Sequence, residues 1–158
     1  MNAGAAKAGA AGSAYAIDQA RFLDLPAIRR LERACFPHDA YDFFTLLGMA
    51  VNPRLVRLKA MADGELVGYV AGEVQRRGEM GWIITIGVTP AYQGLGIGKA
   101  LLLQTERAMN VARVKLTVRS GNARAIALYG RCGYRWASTV RGYYHDGEDG
   151  LIMEKEIW

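Results

Sequence analysis

Ile86-Gly87-Val88-Thr89-Pro90-Ala91-Tyr92-Gln93-Gly94-Leu95-Gly96-Ile97-Gly98-Lys99-Ala100-Leu101-Leu102 reads as a buried strand, a turn, a glycine-rich loop headed by a polar residue, and an amphipathic helix. Glycines at 94, 96 and 98 let backbone N–H groups turn toward one point with no side chains in the way. The helix that follows adds its own unpaired N–H groups and the positive end of its dipole, so the loop reads as an anion site suited to phosphate. Two other phosphate loops fit less well. A dinucleotide loop, G-x-G-x-x-G, is spoiled at Lys99, and a Walker loop needs Ser or Thr where Ala100 stands.

Outward from this stretch the chain reads as one domain. Its 158 residues suffice for a single full core, and 51% hydrophobic with 22% charged residues is the composition of a soluble globular protein. Residues 1–14 are small-residue, low-complexity sequence and read as a disordered tail, which leaves 15–158 as the domain. No apolar stretch approaches the roughly 20 residues of a membrane span. The formal charge of +5 suits attraction of a polyanion, but no basic run interleaved with aromatics supports direct nucleic-acid binding.

Cys35 and Cys132 are the only cysteines, far apart and without a C-x-x-C partner, and they read as reduced thiols of a cytoplasmic protein. His38 and His145 have no metal-ligand spacing, so no metal is expected. His145-Asp146-Gly147-Glu148-Asp149 reads as an Asp-Gly turn between two strands.

Hydrophobic periodicity and turn signals give strands at 15–19, 55–62, 66–75, 82–88, 114–118, 134–144 and 151–157. Helices are expected from a cap at Asp24 to Cys35, and over 41–49, 98–112 and 122–129. The class is α/β (α+β): a mixed central sheet of six to seven strands with about four helices.

The pattern Gln/Arg-x-x-Gly-x-Gly/Ala, filled by Gln93, Gly96 and Gly98, resembles the pyrophosphate loop of the GNAT superfamily of acyl-CoA-dependent N-acyltransferases, and the element order is that of the GNAT fold. A second segment, Asn122-Ala123-Arg124-Ala125-Ile126-Ala127-Leu128-Tyr129 followed by Gly133-Tyr134, resembles the N-x-x-A-x-x-L/F-Y…G-F/Y stretch of the same superfamily. The resemblance implies acetyl-CoA as co-substrate. It would be held by Gln93, Gly94, Leu95, Gly96, Ile97, Gly98 and Lys99 around the phosphates, by Asn122 on the pantetheine arm, and by backbone N–H groups of Ile86, Gly87 and Val88 at the thioester carbonyl. It also implies that Tyr129 protonates the departing thiolate. Gly87, a glycine inside an apolar strand, independently marks a bulge or a close backbone approach.

Within the superfamily the sequence looks like the N-terminal α-amine acetyltransferases, including the branch that acts on a ribosomal protein's terminal alanine. Phe36-Pro37 sits where those enzymes meet the acceptor's first residues, Tyr41 and Trp82 are further candidate acceptor contacts (Trp82 standing where some relatives have an assisting Tyr), and Tyr143-Tyr144 resembles their peptide-clamping tyrosines. One position departs from the pattern: Thr117 stands where relatives carry a Glu or His base. An α-amine of pKa about 7.8 costs only roughly 0.5 kcal/mol to deprotonate at pH 7.4, against roughly 4 kcal/mol for a lysine at about 10.4. A site without a strong base is thus less handicapped on N-termini. The expectation is a water relay held by Thr117 and leading to solvent or to Glu73. The acceptor is a protein N-terminus or a small amine (a polyamine, an antibiotic or an amino acid), with a weakly catalytic CoA-binding sensor as the reading from another class. The chain would be a monomer or a homodimer.

Overall fold

The computed structural model describes residues 14–158 together with the short strand Gly4–Ala6. In chain order the elements are β1 (Gly4–Ala6), β2 (Tyr15–Gln19), α1 (Leu25–Cys35), α2 (Phe43–Val51), β3 (Leu55–Ala62), β4 (Glu65–Gln75), β5 (Met80–Val88), α3 (Ile97–Met109), β6 (Arg113–Arg119), α4 (Ala123–Arg131), β7 (Arg135–Val140) and β8 (Gly150–Glu156). From residue 15 onward these are the expected seven strands and four helices in the expected order. Within the segment expected to be a tail, Gly4–Ala6 pair antiparallel along the edge of β2. The other residues before Ala14 lie outside the described residues.

The sheet runs β1-β2-β3-β4-β5-β6-β8-β7, and every neighbouring pair is antiparallel except β5 and β6. That one parallel step is forced by the helical crossover through α3. β5 and β6 pair only from Met80↔Arg113 to Ile83↔Leu116, yet β5 continues to Val88 and β6 to Arg119. Beyond Ile83 the two strands therefore leave a gap in the middle of the sheet. β4 stays paired to the far side of β5 as far as Val88 and holds it in place.

Two apolar layers fix this frame. On one face Leu101, Leu102 and Met109 of α3 are buried against β3, β4 and β5. The helix lies so close that a Cβ added at Gly72 would come within 2.8 Å of Met109 Sδ, and one at Gly68 within 2.9 Å of Leu101 Cδ1. On the other face Leu25, Ile28 and Leu31 of α1, with Leu46 and Met49 of α2, cover Tyr69 and Ala71 of β4.

Local chemistry moves several boundaries. Asp24 does not cap α1 through its side chain; its carboxylate accepts the Arg21 N–H at 2.6 Å and pairs with Lys59 at 2.8 Å, closing the short 3₁₀ turn ahead of the helix. The second helix begins at Phe43, because Asp42 caps it by accepting the Thr45 N–H. α3 stops at Met109, where Asn110 takes the left-handed conformation at φ 50°. The strand expected over 134–144 ends at Val140. Gly142 turns at φ 61° and its N–H is held by Asp149, so Tyr143 and Tyr144 lie on a loop.

Candidate active site

The gap between β5 and β6 opens on two cavities. The first, of about 420 Å³, lies over the glycine loop and is lined by Gly87, Val88, Gln93, Gly94, Gly96, Ile97, Gly98 and Lys99. The second, of about 210 Å³, lies between the α1–α2 loop and the β7–β8 loop, with Glu32, Tyr41, Trp82, Thr117, Tyr143 and Tyr144 in its wall. Phe36, Ile86, Asn122 and Tyr129 line both, so the two cavities meet at these residues.

The first cavity has the chemistry of an anion cradle. Gly94 and Gly96 adopt φ of 79° and 84°, which turns the loop into the first turn of α3. A Cβ on Gly96 would meet nothing within 4 Å, so the approach to the loop is open. The charged residues in its lining are Lys99, Arg124 and Arg131, with no carboxylate among them. Gln93 donates from Nε2 to the Val88 carbonyl at 3.0 Å and so ties the loop to the end of β5. Leu95 alone of the residues expected here does not line the cavity and packs against the core instead.

β5 carries one extra residue opposite β4, Ile84, between the pairs Gly72↔Ile83 and Ala71↔Thr85. The bulge is therefore at Ile84. Gly87 marks the other feature, a close approach: an added Cβ would lie 3.1 Å from Cys35 Sγ and 3.3 Å from Phe36 Cε2. Toward β6 the strand past Ile83 has no ladder partner, so its backbone edge faces the cavities.

At the junction Asn122 caps α4, accepting the Ala125 N–H at 3.1 Å, while its side of the helix faces both cavities. Tyr129, 7% exposed, follows two turns later on the same helix. Burial raises its hydroxyl pKa well above that of a free tyrosine, so the proton stays on at neutral pH. Cys132 closes α4 as a buried packing residue outside both cavities. Cys35 does line the first cavity, but burial and the nearby Glu32 push its thiol up to about 11, which removes the thiolate that covalent catalysis needs.

Glu73 lines neither cavity. It sits opposite Trp82 on the β4–β5 ladder, and its carboxylate accepts from Gln75 Nε2 at 3.0 Å. Pro37 is exposed and likewise lines neither, whereas Phe36, Tyr41, Trp82, Tyr143 and Tyr144 all reach the second cavity. Two carboxylates do line that cavity: Asp39 on the α1–α2 loop, and Glu32 on α1, only 1% exposed. Its Oε1 accepts from the Thr85 hydroxyl at 2.7 Å, and its Oε2 has no well-formed hydrogen bond among the described residues. Burial raises its pKa, and the Thr85 hydroxyl and Tyr41 backbone amide offset that only in part. The signal for Glu32 was legible: it falls one turn after Ile28 and two after Leu25, so a carboxylate interrupts the apolar stripe of α1.

Residues 25–134 match the model of the acetyltransferase (GNAT) family. The chain is 31% identical over 156 residues to an N-alpha-acetyltransferase of Sulfurisphaera tokodaii, covering 90% of this chain and 93% of that protein. It is 33% identical over 142 residues to the ribosomal protein bS18-alanine N-acetyltransferase of Escherichia coli, covering 85% and 92%. The crystal structure of the ribosomal-protein-S18-alanine N-acetyltransferase from Escherichia coli is similar with a TM-score of 0.82 at 30% identity, over 90% of this chain and 94% of that one.

Proposed function

This chain belongs to the acetyltransferase (GNAT) family, and we propose that it transfers the acetyl group of acetyl-CoA directly to the α-amine of a protein or peptide N-terminus. One observation carries the reading: a basic, glycine-lined cavity and a narrow cavity ending on a buried carboxylate meet at Tyr129 and the free edge of β5. The relatives named for N-terminal acetylation, matched over nearly the whole chain, support it.

Acetyl-CoA supplies an activated thioester. The anion cradle of Gly94, Gly96, Gly98 and Lys99 would hold its phosphates, with Arg124 and Arg131 beside them. Backbone N–H groups of Ile86, Gly87 and Val88 would polarise the carbonyl, since that stretch of β5 has an unused edge. Tyr129 would donate to and protonate the departing thiolate; a thiol of pKa about 8.5 is already a fair leaving group, so this donor is helpful rather than essential.

Glu32 takes the role of base. Desolvation makes its carboxylate more basic than an exposed one, and its buried Oε2, beside the Tyr41 backbone amide, would take the amine's proton directly or through one water once the acceptor is seated. Thr117 faces the same cavity and would help hold such a water. A site with Glu32 at its end does not lack a base, which removes the motive for a non-catalytic sensor. Reduced cysteines and a cytosolic co-substrate support a cytoplasmic location. Among the described residues no helix is long and apolar enough to cross a membrane.

Thiol release from acetyl-CoA tests the acceptor. Peptides beginning with free Ala or Ser are expected to turn over, while matched N-terminally blocked peptides carrying an internal lysine stay silent. Equal turnover of the blocked set would overturn the α-amine reading, and turnover confined to a polyamine or amino acid would move the acceptor to a small molecule.

A further inference from the structure

Two loops wall the acceptor cavity, and neither belongs to the sheet. Phe36 and Tyr41 stand on the α1–α2 loop on either side of Asp39; Tyr143 and Tyr144 stand on the β7–β8 loop just before Asp146 and Glu148. All three carboxylates converge on one cation at the end of β6. Arg119 donates from Nε and Nη2 to the two oxygens of Asp39, both at 2.7 Å. Its Nη1 donates to Asp146 at 2.8 and 3.1 Å and to Glu148 Oε1 at 2.8 Å. The guanidinium carbon also lies 4.1 Å from the centre of the Tyr144 ring. Glu148 in turn accepts the Gly121 N–H through Oε2 at 2.7 Å, next to Asn122 at the junction of the cavities.

We propose that Arg119 is a positioning residue for the acceptor: its planar fork fixes the separation of the two loops, and so sets the width of the slot and the size of first residue it admits. The reasoning is geometric. Among the described residues no backbone hydrogen bond joins these two loops, and the ladder of β6 and β8 ends at Arg119↔Gly150. The ion pairs on Arg119 are the visible tie between the two walls. A guanidinium presents five donors in one plane and can serve three carboxylates and stack on a ring at once; an ammonium cannot reproduce that arrangement. The side chain is 19% exposed, so the tie is partly shielded from solvent and salt. Arg119 and Asp39 themselves stand in the cavity wall, and Arg119 is two residues along β6 from Thr117 in the same wall, so the hub is anchored on the frame that holds the site.

The inference rests on the N-terminal acceptor reading, and its test separates the two. Initial rates of wild type, Arg119→Lys and Arg119→Gln are measured against peptides beginning with Ala or with Phe, and separately against acetyl-CoA, alongside thermal melts. Both variants are expected to lose about 10- to 100-fold in kcat/KM for the Ala peptide, mainly through its KM. The KM for acetyl-CoA should stay within about twofold, and the preference for Ala over Phe should shrink as the slot loosens. An unchanged peptide KM, a parallel rise in both KM values, or an unchanged Ala-to-Phe ratio in folded variants would overturn the proposal. Should Arg119 variants fail to fold, Asp146→Asn removes the most exposed of the three carboxylates and is judged by the same ratio. A wild type silent on every free N-terminus would overturn the acceptor reading and this inference together, whereas an active wild type with indifferent variants would sink only the latter.

Discussion

Glu32, proposed as the base, is a buried carboxylate in the wall of the second cavity, and its burial has two measurable consequences. Because its pKa is raised, the acidic limb of kcat/KM should lie above the usual carboxylate range, with activity rising as pH rises through it. Glu32→Gln should abolish that inflection and cost about 10²-fold at pH 7, with the deficit narrowing near pH 9, where an α-amine of pKa about 7.8 is already neutral. Stability runs the other way. A carboxyl whose folded pKa exceeds its unfolded value favours the fold at low pH, and that contribution is lost as pH rises through the folded pKa. Once ionised, the half-satisfied carboxylate is therefore a burden, and Glu32→Gln should melt higher than wild type by thermal denaturation at pH 8. An inactive variant that also melts lower would point to a structural role. The sequence displayed this residue on the apolar stripe of α1. It did not display the strand that α1 packs against, which is why a strand carboxylate, Glu73, reads from sequence alone as the end of the relay.

Among the elements, the loop leading into α3 shows how backbone conformation, rather than side chains, builds a site. Gly96 has open space around it, so an alanine there would clash with nothing and would feel only the cost of φ 84°. Gly96→Ala is expected to lower stability by about 1–2 kcal/mol and to raise the KM for acetyl-CoA while leaving the peptide KM alone. Steady-state kinetics with each substrate varied in turn would check this. An unchanged KM for acetyl-CoA would mean that the loop does not hold the phosphates. Strand β5 makes the complementary point. Its apolar run and its glycine were plain in the sequence, but the bulge sits at Ile84, because register against β4 is settled by pairing and not by composition. The last hairpin is shorter than its sequence predicts for a similar reason: the charges at Asp146, Glu148 and Asp149 turn inward to Arg119 and Gly142, which ends β7 at Val140.

For the whole molecule, the arrangement is one slot with two electrostatic ends. Lys99, Arg124 and Arg131 line the coenzyme side, while Asp39, Asp146 and Glu148 gather beside the acceptor side. A donor that binds only the folded state should stabilise it: acetyl-CoA at 100 times its Kd contributes about 2.7 kcal/mol, a rise in Tm of roughly 5–10 °C for a domain of this size. The shift should fall with added salt, since it depends on cations meeting a polyanion. A salt-insensitive shift, or none, in a melting experiment would count against the basic cavity as the donor's seat. By itself the sequence determined the order of strands and helices, the glycine loop before α3 and the Asn122–Tyr129 helix, because each depends on contacts within a few residues: periodicity, turns, caps and glycine φ. Only the tertiary structure decided where β5 and β6 part, that Glu32 and not Glu73 lines the second cavity, and that Arg119 joins two loops 80 and 27 residues away in the chain. Those facts depend on which surfaces are packed together, and distance along the chain carries no trace of them.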